Sequence, residues 1–177
     1  AGTGERAGFG RNKLLAPFYG APALYHTLKQ FDISEIDEVI VTSSADDYKE
    51  IKALCAPFGY GVILGGKTRY LGVRKALEKV TGDIVLIHDG ARPFVTKKII
   101  TDCIKTTETY GSGVCATPVT DTMATVYYGV ITDVPKRETV YAVQTPQGFR
   151  AEDIKKAYEL AADDGIAYTD DSAVYAN

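Results

Sequence analysis

The sequence predicts a single α/β domain, and three observations carry that prediction. Helix-like and strand-like segments alternate along the chain, and no linker, repeat or low-complexity stretch separates one part from another. Asp83-Ile84-Val85-Leu86-Ile87 is apolar on both faces, the pattern of a central strand in a sheet covered by helices. The chain has 177 residues, 45% hydrophobic and 24% charged, which suits one domain able to bury a core.

Each element follows from local chemistry. Pro22 suits a first helical turn, and Leu24, Leu28 and Phe31 follow at helical spacing, so residues 22–31 are predicted as a helix. Glu38-Val39-Ile40-Val41-Thr42 is a β-branched strand ended by Ser43-Ser44, and Asp46 or Asp47 caps a helix reaching about Phe58. Gly61-Val62-Ile63-Leu64 forms a second strand closed by Gly65-Gly66, and Val73, Ala76, Leu77 and Val80 mark the next helix. The apolar strand at 83–87 ends in His88-Asp89-Gly90-Ala91-Arg92-Pro93. Thr96 caps a helix running to Tyr110, and Gly113-Val114-Cys115-Ala116-Thr117 supplies a strand leading into Pro118-Val119-Thr120-Asp121-Thr122. From Ala124 to Gln144 the chain is rich in Val, Tyr, Thr and Ile, with a turn at Tyr128-Gly129, which predicts a hairpin arm. A last helix around Glu152 to Ala162 turns Ile154, Ala157, Tyr158 and Ala161 to one face.

Composition narrows the function. No run approaches the roughly 18 apolar residues of a membrane span, and the Gly-rich, charged start is unlike a secretory signal, so a cytoplasmic protein is expected. Cys55, Cys103 and Cys115 lack CxxC or Cys/His spacing and are expected to be buried thiols. A net charge of -3 argues against a general nucleic-acid surface, so an anionic ligand must be met by a local cluster of Lys and Arg.

Ala1-Gly2-Thr3-Gly4 supplies such a place. Glycines free to expose backbone N–H groups stand just ahead of Arg6 and Lys13, a combination suited to a polyphosphate, although GxG alone also fits a plain turn. Neither the ending of a P-loop nor a dinucleotide fingerprint is present. Gly-rich phosphate loops normally follow a strand, and a natural protein with a strand ahead of Ala1 is the expectation.

The His88 to Pro93 turn lies at the carboxyl end of the most apolar strand, where open α/β sheets place ligands. Asp89 can hold Mg²⁺ or a substrate hydroxyl, and Arg92 can fork onto a phosphate. The alternative is that the two merely pair and close the turn, and for His88 a packed, hydrogen-bonded role is the expected one. Asp121-Thr122, Arg137 and Thr145-Pro146-Gln147 lie before, within and after the arm. Two strands alone bury too little to be stable, so the arm seeks a partner chain and Arg137 can reach a neighbour's site, the alternative being a solvated arm charge. The pairs Asp163-Asp164 and Asp170-Asp171 read as a solvated face or helix end in preference to a catalytic dyad.

With these residues in place, the chain resembles the 2-C-methyl-D-erythritol 4-phosphate cytidylyltransferases of the non-mevalonate route to isoprenoids. The resemblance covers nearly the whole chain: the A-G-x-G-x-R loop from Ala1 continuing to Lys13, G-G-x-x-R from Gly65 to Arg69, H-D-x-A-R-P-F from His88 to Phe94, P-V-x-D-T from Pro118 to Thr122, Arg137 followed by T-P-Q-x-F from Thr145 to Phe149, and Thr169-Asp170. It implies a Rossmann-like α/β fold, with a mostly parallel sheet flanked by helices, in one domain over residues 1–177. It further implies a protruding β-arm at about 123–144 that clasps a homodimer. CTP with Mg²⁺, or another divalent cation, would be the nucleotide donor and pyrophosphate the leaving product. Arg6, Lys13 and Arg137 would be the catalytic groups, with Arg137 serving the partner's site. Ala1, Gly2, Thr3, Gly4, Gly66, Arg69 and Asp89 would bind CTP; Asp89, Arg92, Thr122, Arg137, Thr145 and Thr169 would surround the methylerythritol phosphate. The chain departs from the family pattern at Leu14, where Gln is usual, and at Leu71-Gly72, where Asp-Ser is usual, and it lacks the family's first strand and closing N-x-K-x-T segment.

A sugar-alcohol phosphate with a second pKa of about 6 is already a dianion at neutral pH, so the implied reaction needs charge stabilisation and no general base. That fits the absence of a Ser/His/Asp or Cys/His constellation. Two other readings stay open. A ribitol 5-phosphate cytidylyltransferase is suggested by Val134-Pro135-Lys136-Arg137 and Tyr141, and a non-catalytic nucleotide-binding or dimerisation module by the departures.

Overall fold

The computed structural model describes residues 12–163 and 168–176 of the chain. Ala1, Gly2, Thr3, Gly4 and Arg6 therefore lie outside the described residues. Buried Asn12 opens the visible chain: its Oδ1 accepts from the Leu14 N–H at 3.0 Å, and its Nδ2 donates to Asp47 at 2.8 Å. A small hairpin follows, β1 (Pro17–Phe18) and β2 (Ala21–Pro22), turning through Tyr19 and Gly20 at positive φ. Helix α1 (Ala23–Gln30) starts directly after Pro22 and sends Leu24 and Leu28 inward, as their spacing predicts.

β3 (Ile40–Ser43), α2 (Tyr48–Cys55) and β4 (Gly61–Leu64) form a βαβ unit, with the strands parallel from Ile40↔Gly61 to Ser43↔Leu64. Ile51 and Cys55 of α2 are wholly buried. The helix expected to reach Phe58 gives way to a 3₁₀ turn over Ala56–Phe58, because Pro57 has no N–H to continue α-helical bonding. Asp47 stands at the N-cap but does not cap; its carboxylate is taken by Asn12 and by Ser44, which donates at 2.6 Å.

α3 (Arg69–Leu77) is capped by Thr68 and leads to β5 (Ile84–Ile87). α4 (Lys97–Tyr110) has the expected boundaries: Thr96 Oγ1 accepts from the Ile99 N–H at 3.2 Å, and Gly111 ends the helix at φ 87°. β6 (Ser112–Pro118) then runs outward. β7 (Thr125–Tyr127) and β8 (Val130–Asp133) form the predicted hairpin, with Tyr128 and Gly129 at φ 48° and 79°. Every residue from Asp121 to Val134 is exposed. The end of the expected arm belongs elsewhere, since β9 (Tyr141–Arg150) begins there and continues into the core before α5 (Ala151–Leu160) and α6 (Asp171–Ala176).

The sheet corrects two expectations. Of the five described strand pairings only β3 with β4 is parallel; β9 lies between β5 and β6 and runs antiparallel to both, so the described sheet is not mostly parallel. The cause is the arm, which turns the chain around outside the domain so that it re-enters against the direction of its neighbours. β9, and not β5, is central in that described three-stranded sheet, since it pairs with β5 on one side and β6 on the other.

One core layer joins Leu77, Ile87, Phe149, Ile154, Tyr158 and Val174; a second joins Leu14, Leu15, Leu24, Leu28, Ile51 and Cys55. Burial pushes the Cys103 thiol up to about 12, in keeping with an inert core cysteine. No helix among the described residues is long and apolar enough to cross a membrane.

α4 presses directly on β9 at Gly148, where an added Cβ would fall 2.2 Å from Thr107 Oγ1 and 3.0 Å from Leu86 Cδ2. Gly148→Ala is expected to lower the urea midpoint by the equivalent of about 1–3 kcal/mol at unchanged slope. Gly61→Ala, whose nearest neighbour would be 3.7 Å away, should change stability by no more than about 1 kcal/mol.

Candidate active site

Register builds the site. Because Ile87 pairs with Gln147, the residues leaving β5 meet the residues entering β9, and Asp89 stands beside Thr145. The Asp89 N–H donates to Thr145 Oγ1 at 3.2 Å, and Thr145 Oγ1 is 3.0 Å from His88 Nδ1. His88 Nε2 faces the Arg92 carbonyl at 3.2 Å, so both ring nitrogens serve the turn, the packed role expected of it. Thr27 Oγ1 fixes the same turn from α1 by donating to the Gly90 carbonyl at 2.8 Å.

Asp89 lies between two guanidinium groups. Arg92 Nε donates to Oδ2 at 3.1 Å and Arg69 Nε to Oδ1 at 3.3 Å, while Arg92 also reaches the Gln144 side chain. The turn-closing pair of Asp89 and Arg92 is thus present. It leaves Asp89 and Arg92 accessible, with side chains 35% and 43% exposed. Burial acts to raise the Asp89 pKa, but the Arg92 hydrogen bond and the Arg69 charge outweigh it, and the net shift is downward.

Arg69 is the first residue of α3, where the helix dipole disfavours a cation. What holds it is Asp171, which is wholly buried and accepts from Arg69 Nη2 at 2.5 Å and from the Tyr158 hydroxyl at 2.6 Å. Asp171 is itself the first residue of α6, where the dipole favours a carboxylate. Gln147, also fully buried, tethers that helix start. Its Nε2 donates to Asp170 at 2.7 Å and to the Gln144 carbonyl at 3.1 Å, and its Oε1 accepts from the Ser172 N–H at 3.0 Å. Asp170 and Asp171 both stand at a helix end, one of the two expected roles, but Asp171 is not solvated there: it is a core carboxylate. Asp171, Tyr158 and Gln147 are the site residues that sequence reasoning missed. Tyr158 was recognisable as core, with its hydroxyl unassigned; Gln147 sits inside the T-P-Q motif, which was its one available signal.

The structure therefore gathers Arg69, Asp89, Arg92 and Thr145. Lys13 is exposed at the start of a 3₁₀ turn held by Asn12. Gly66 approaches α3 so closely that a Cβ would fall 2.2 Å from that of Leu71. Thr122 and Arg137 are exposed near the arm and outside this cluster; Arg137 Nη1 donates to the Thr120 carbonyl at 3.2 Å. Thr169 is exposed beside Asp170. Among the described residues no group of three or more His, Cys, Asp and Glu side chains is placed to hold a metal ion.

One of the departures from the family pattern has a physical account. Leu14 is a core residue, 5% exposed, and its methyl carbons lie 3.5 and 3.7 Å from where a Cβ at Gly90 would be. At buried Gly72 a Cβ would meet Thr42 Oγ1 at an ordinary 3.7 Å, so nothing in the packing demands glycine there.

Comparison with known proteins shows the family. The family model for 2-C-methyl-D-erythritol 4-phosphate cytidylyltransferase, IspD, matches residues 1–177. The chain belongs to that family. It is 38% identical to the 2-C-methyl-D-erythritol 4-phosphate cytidylyltransferase of Bacillus mycoides over 98% of this chain and 80% of that one. With the enzyme of that name from Geotalea uraniireducens it is 35% identical, over 98% and 79%. Among solved structures, the 4-diphosphocytidyl-2C-methyl-D-erythritol synthase of Anaerococcus prevotii superposes with a TM-score of 0.86 at 28% identity, covering 92% of this chain and 77% of that one. The Thermus thermophilus 2-C-methyl-D-erythritol 4-phosphate cytidylyltransferase gives 0.79 at 30% identity, over 93% and 78%. The α/β fold is the one these family members share.

Burial lowers the His88 pKa, against the raising effects of the Arg92 carbonyl and Asp89. A histidine whose folded-state pKa lies below its unfolded value of about 6.5 contributes stability above that pH and loses it as the pH falls toward the folded value. The melting temperature is therefore expected to drop on acidification below about pH 6.5, and His88→Asn should flatten that part of the profile. An equal drop in both proteins would show that other groups cause it.

Proposed function

We propose that the chain transfers the cytidylyl group of CTP to 2-C-methyl-D-erythritol 4-phosphate, forming 4-diphosphocytidyl-2-C-methyl-D-erythritol and pyrophosphate. The observation that carries this reading is the union of Arg69, Asp89, Arg92 and Thr145 at the carboxyl end of β5, in a chain whose whole length matches that family. An oxygen of the acceptor phosphate attacks the α-phosphorus, a new P–O–P bridge forms, and the bond from the α-phosphorus to the oxygen of the β-phosphate breaks. The pyrophosphate keeps that electron pair. Negative charge grows on the phosphoryl oxygens, so fixed cations do the catalysis.

On this reading the loop Ala1, Gly2, Thr3 and Gly4 lays backbone N–H groups along the triphosphate, with Arg6 and Lys13 as its cations and Gly66 and Arg69 on the nucleotide side. Asp89, Arg92, Thr145 and Thr169 receive the acceptor. Among the described residues no group of three or more His, Cys, Asp and Glu side chains surrounds Asp89. Mg²⁺ would enter as the chelate of CTP, with the accessible Asp89 carboxylate within this site as the residue able to touch it. The cytoplasm, which supplies CTP, is the expected compartment. We place the residues in a single Rossmann-like domain from 1 to 177.

The arm is read as a dimer clasp. Val126 and Ile131 face each other across the hairpin, 56% and 61% exposed, and Tyr128 at its tip is 90% exposed. Such a surface is stable in water once a second copy covers it. Thr122 and Arg137 would then complete the partner's acceptor site. Ile131→Asp is expected to convert a dimer to a monomer in sedimentation equilibrium. Mixing inactive Lys13→Ala and Arg137→Ala proteins should restore about a quarter of wild-type turnover, since a mixed dimer keeps one intact site; no recovery would place Arg137 in its own subunit's site or in none.

The deciding experiment is a pyrophosphate-release screen of four nucleoside triphosphates against 2-C-methyl-D-erythritol 4-phosphate and ribitol 5-phosphate. Turnover is expected with CTP and the methylerythritol phosphate. Preference for ribitol 5-phosphate would overturn the acceptor, and CTP binding without turnover would make the chain a binding module. Lys13→Ala should lower kcat by about 100-fold or more with little change in melting temperature, because Lys13 is exposed.

A further inference from the structure

Arg69, Asp89 and Arg92 do not stand alone, because a buried acid outside the acceptor site anchors one end of them. The charges alternate from core to surface as Asp171, Arg69, Asp89 and Arg92, through contacts of 2.5, 3.3 and 3.1 Å. The short contact is at the buried end. Arg69 thus divides its guanidinium between two carboxylates, Nη2 to Asp171 and Nε to Asp89. The Asp171 side chain is wholly enclosed, and its other oxygen is satisfied by Tyr158, whose ring is stacked on Tyr70 at 4.8 Å. The Tyr70 hydroxyl in turn donates to the Tyr158 carbonyl at 3.0 Å. Fixed on this side by packing, Asp171 cannot follow Arg69; Arg69 must come to it.

We propose that Asp171, held by Tyr158, is a positioning residue for the acceptor phosphate site: it keeps Arg69 drawn toward the core, so that Asp89 and Arg92 stay placed for the incoming sugar-alcohol phosphate. Without that pull Arg69 is free to tighten its 3.3 Å contact with Asp89, and the acceptor must then compete with two undivided arginine pairs at one carboxylate instead of one pair and one shared guanidinium. The proposal rests on the acceptor site assigned above. Loss of Asp171 weakens acceptor capture before it slows the chemical step, because Asp171 touches neither substrate.

The test uses the full chain and two variants. Asp171→Asn keeps the shape of the side chain and removes its charge; Tyr158→Phe keeps the ring stack and removes one hydrogen bond, and serves should the first variant fold poorly. Asp171→Asn is expected to raise the KM for the acceptor about tenfold while kcat falls less than about threefold. Tyr158→Phe should act in the same direction, by about threefold in KM. A variant that is merely less well folded loses active enzyme, which lowers kcat and leaves KM in place. A fall in kcat alone, or an acceptor KM within twofold of wild type in folded Asp171→Asn, overturns the proposal. Calorimetric titration of 2-C-methyl-D-erythritol 4-phosphate into each protein without CTP separates this inference from the proposed activity. Binding by wild type that weakens in both variants supports the role of Asp171 even where turnover is absent, and no binding by wild type overturns both.

Discussion

The antiparallel pairing of β9 with β5 is the constraint on which the rest depends. It places Thr145 against Asp89 and sinks Gln147 into the core, where its amide holds the start of α6. From α6 the polar contacts return through Asp171, Arg69, Asp89 and Arg92 to the Gln144 side chain, again on β9. The circuit begins and ends on one strand. A slip of one residue in that pairing would turn Gln147 to the opposite face of the sheet and part Thr145 from Asp89.

Energetically the circuit is sound because its buried members are satisfied. A buried carboxylate without partners would be costly, and Asp171 has an arginine on one oxygen and a phenol on the other. Gln147 uses both amide hydrogens and its oxygen. The exposed members, Asp89 and Arg92, gain little stability from their pairing and are free to exchange partners. The enclosed, fully hydrogen-bonded groups thus lie under the site, and the two accessible ones face solvent.

Much of this was legible in the residues alone. α4 was bounded correctly because Thr96 and Gly111 act locally, through a cap and a left-handed turn. Asp89 and Arg92 were found by their place at a strand's carboxyl end, and Thr145 by its motif. What was not legible depends on contacts distant in sequence. A strand leaving a hairpin can join a sheet at an edge or in its middle, and only the pairing of β9 with β5 on one side and β6 on the other places it in the centre. Adjacent acids such as Asp170 and Asp171 are usually solvated, and no local pattern announces that a helix will bury one beneath Arg69. Leu14 is similar: its place in the core, with methyl groups against the space above Gly90, was not readable from its neighbours in sequence.

The alternating charges have a further meaning for selectivity. Two acids and two bases sum to zero, so this part of the site offers no standing positive field to attract every passing anion. Arg92 is latched by its own neighbour Asp89, and a ligand must outbid that carboxylate to open the latch. A singly charged diester brings no more charge than Asp89 already supplies, whereas a phosphate monoester above its second pKa of about 6 brings twice as much. With the turn as the acceptor site proposed above, discrimination between a terminal phosphate and an internal one follows from its resting state, before any part of the sugar is read.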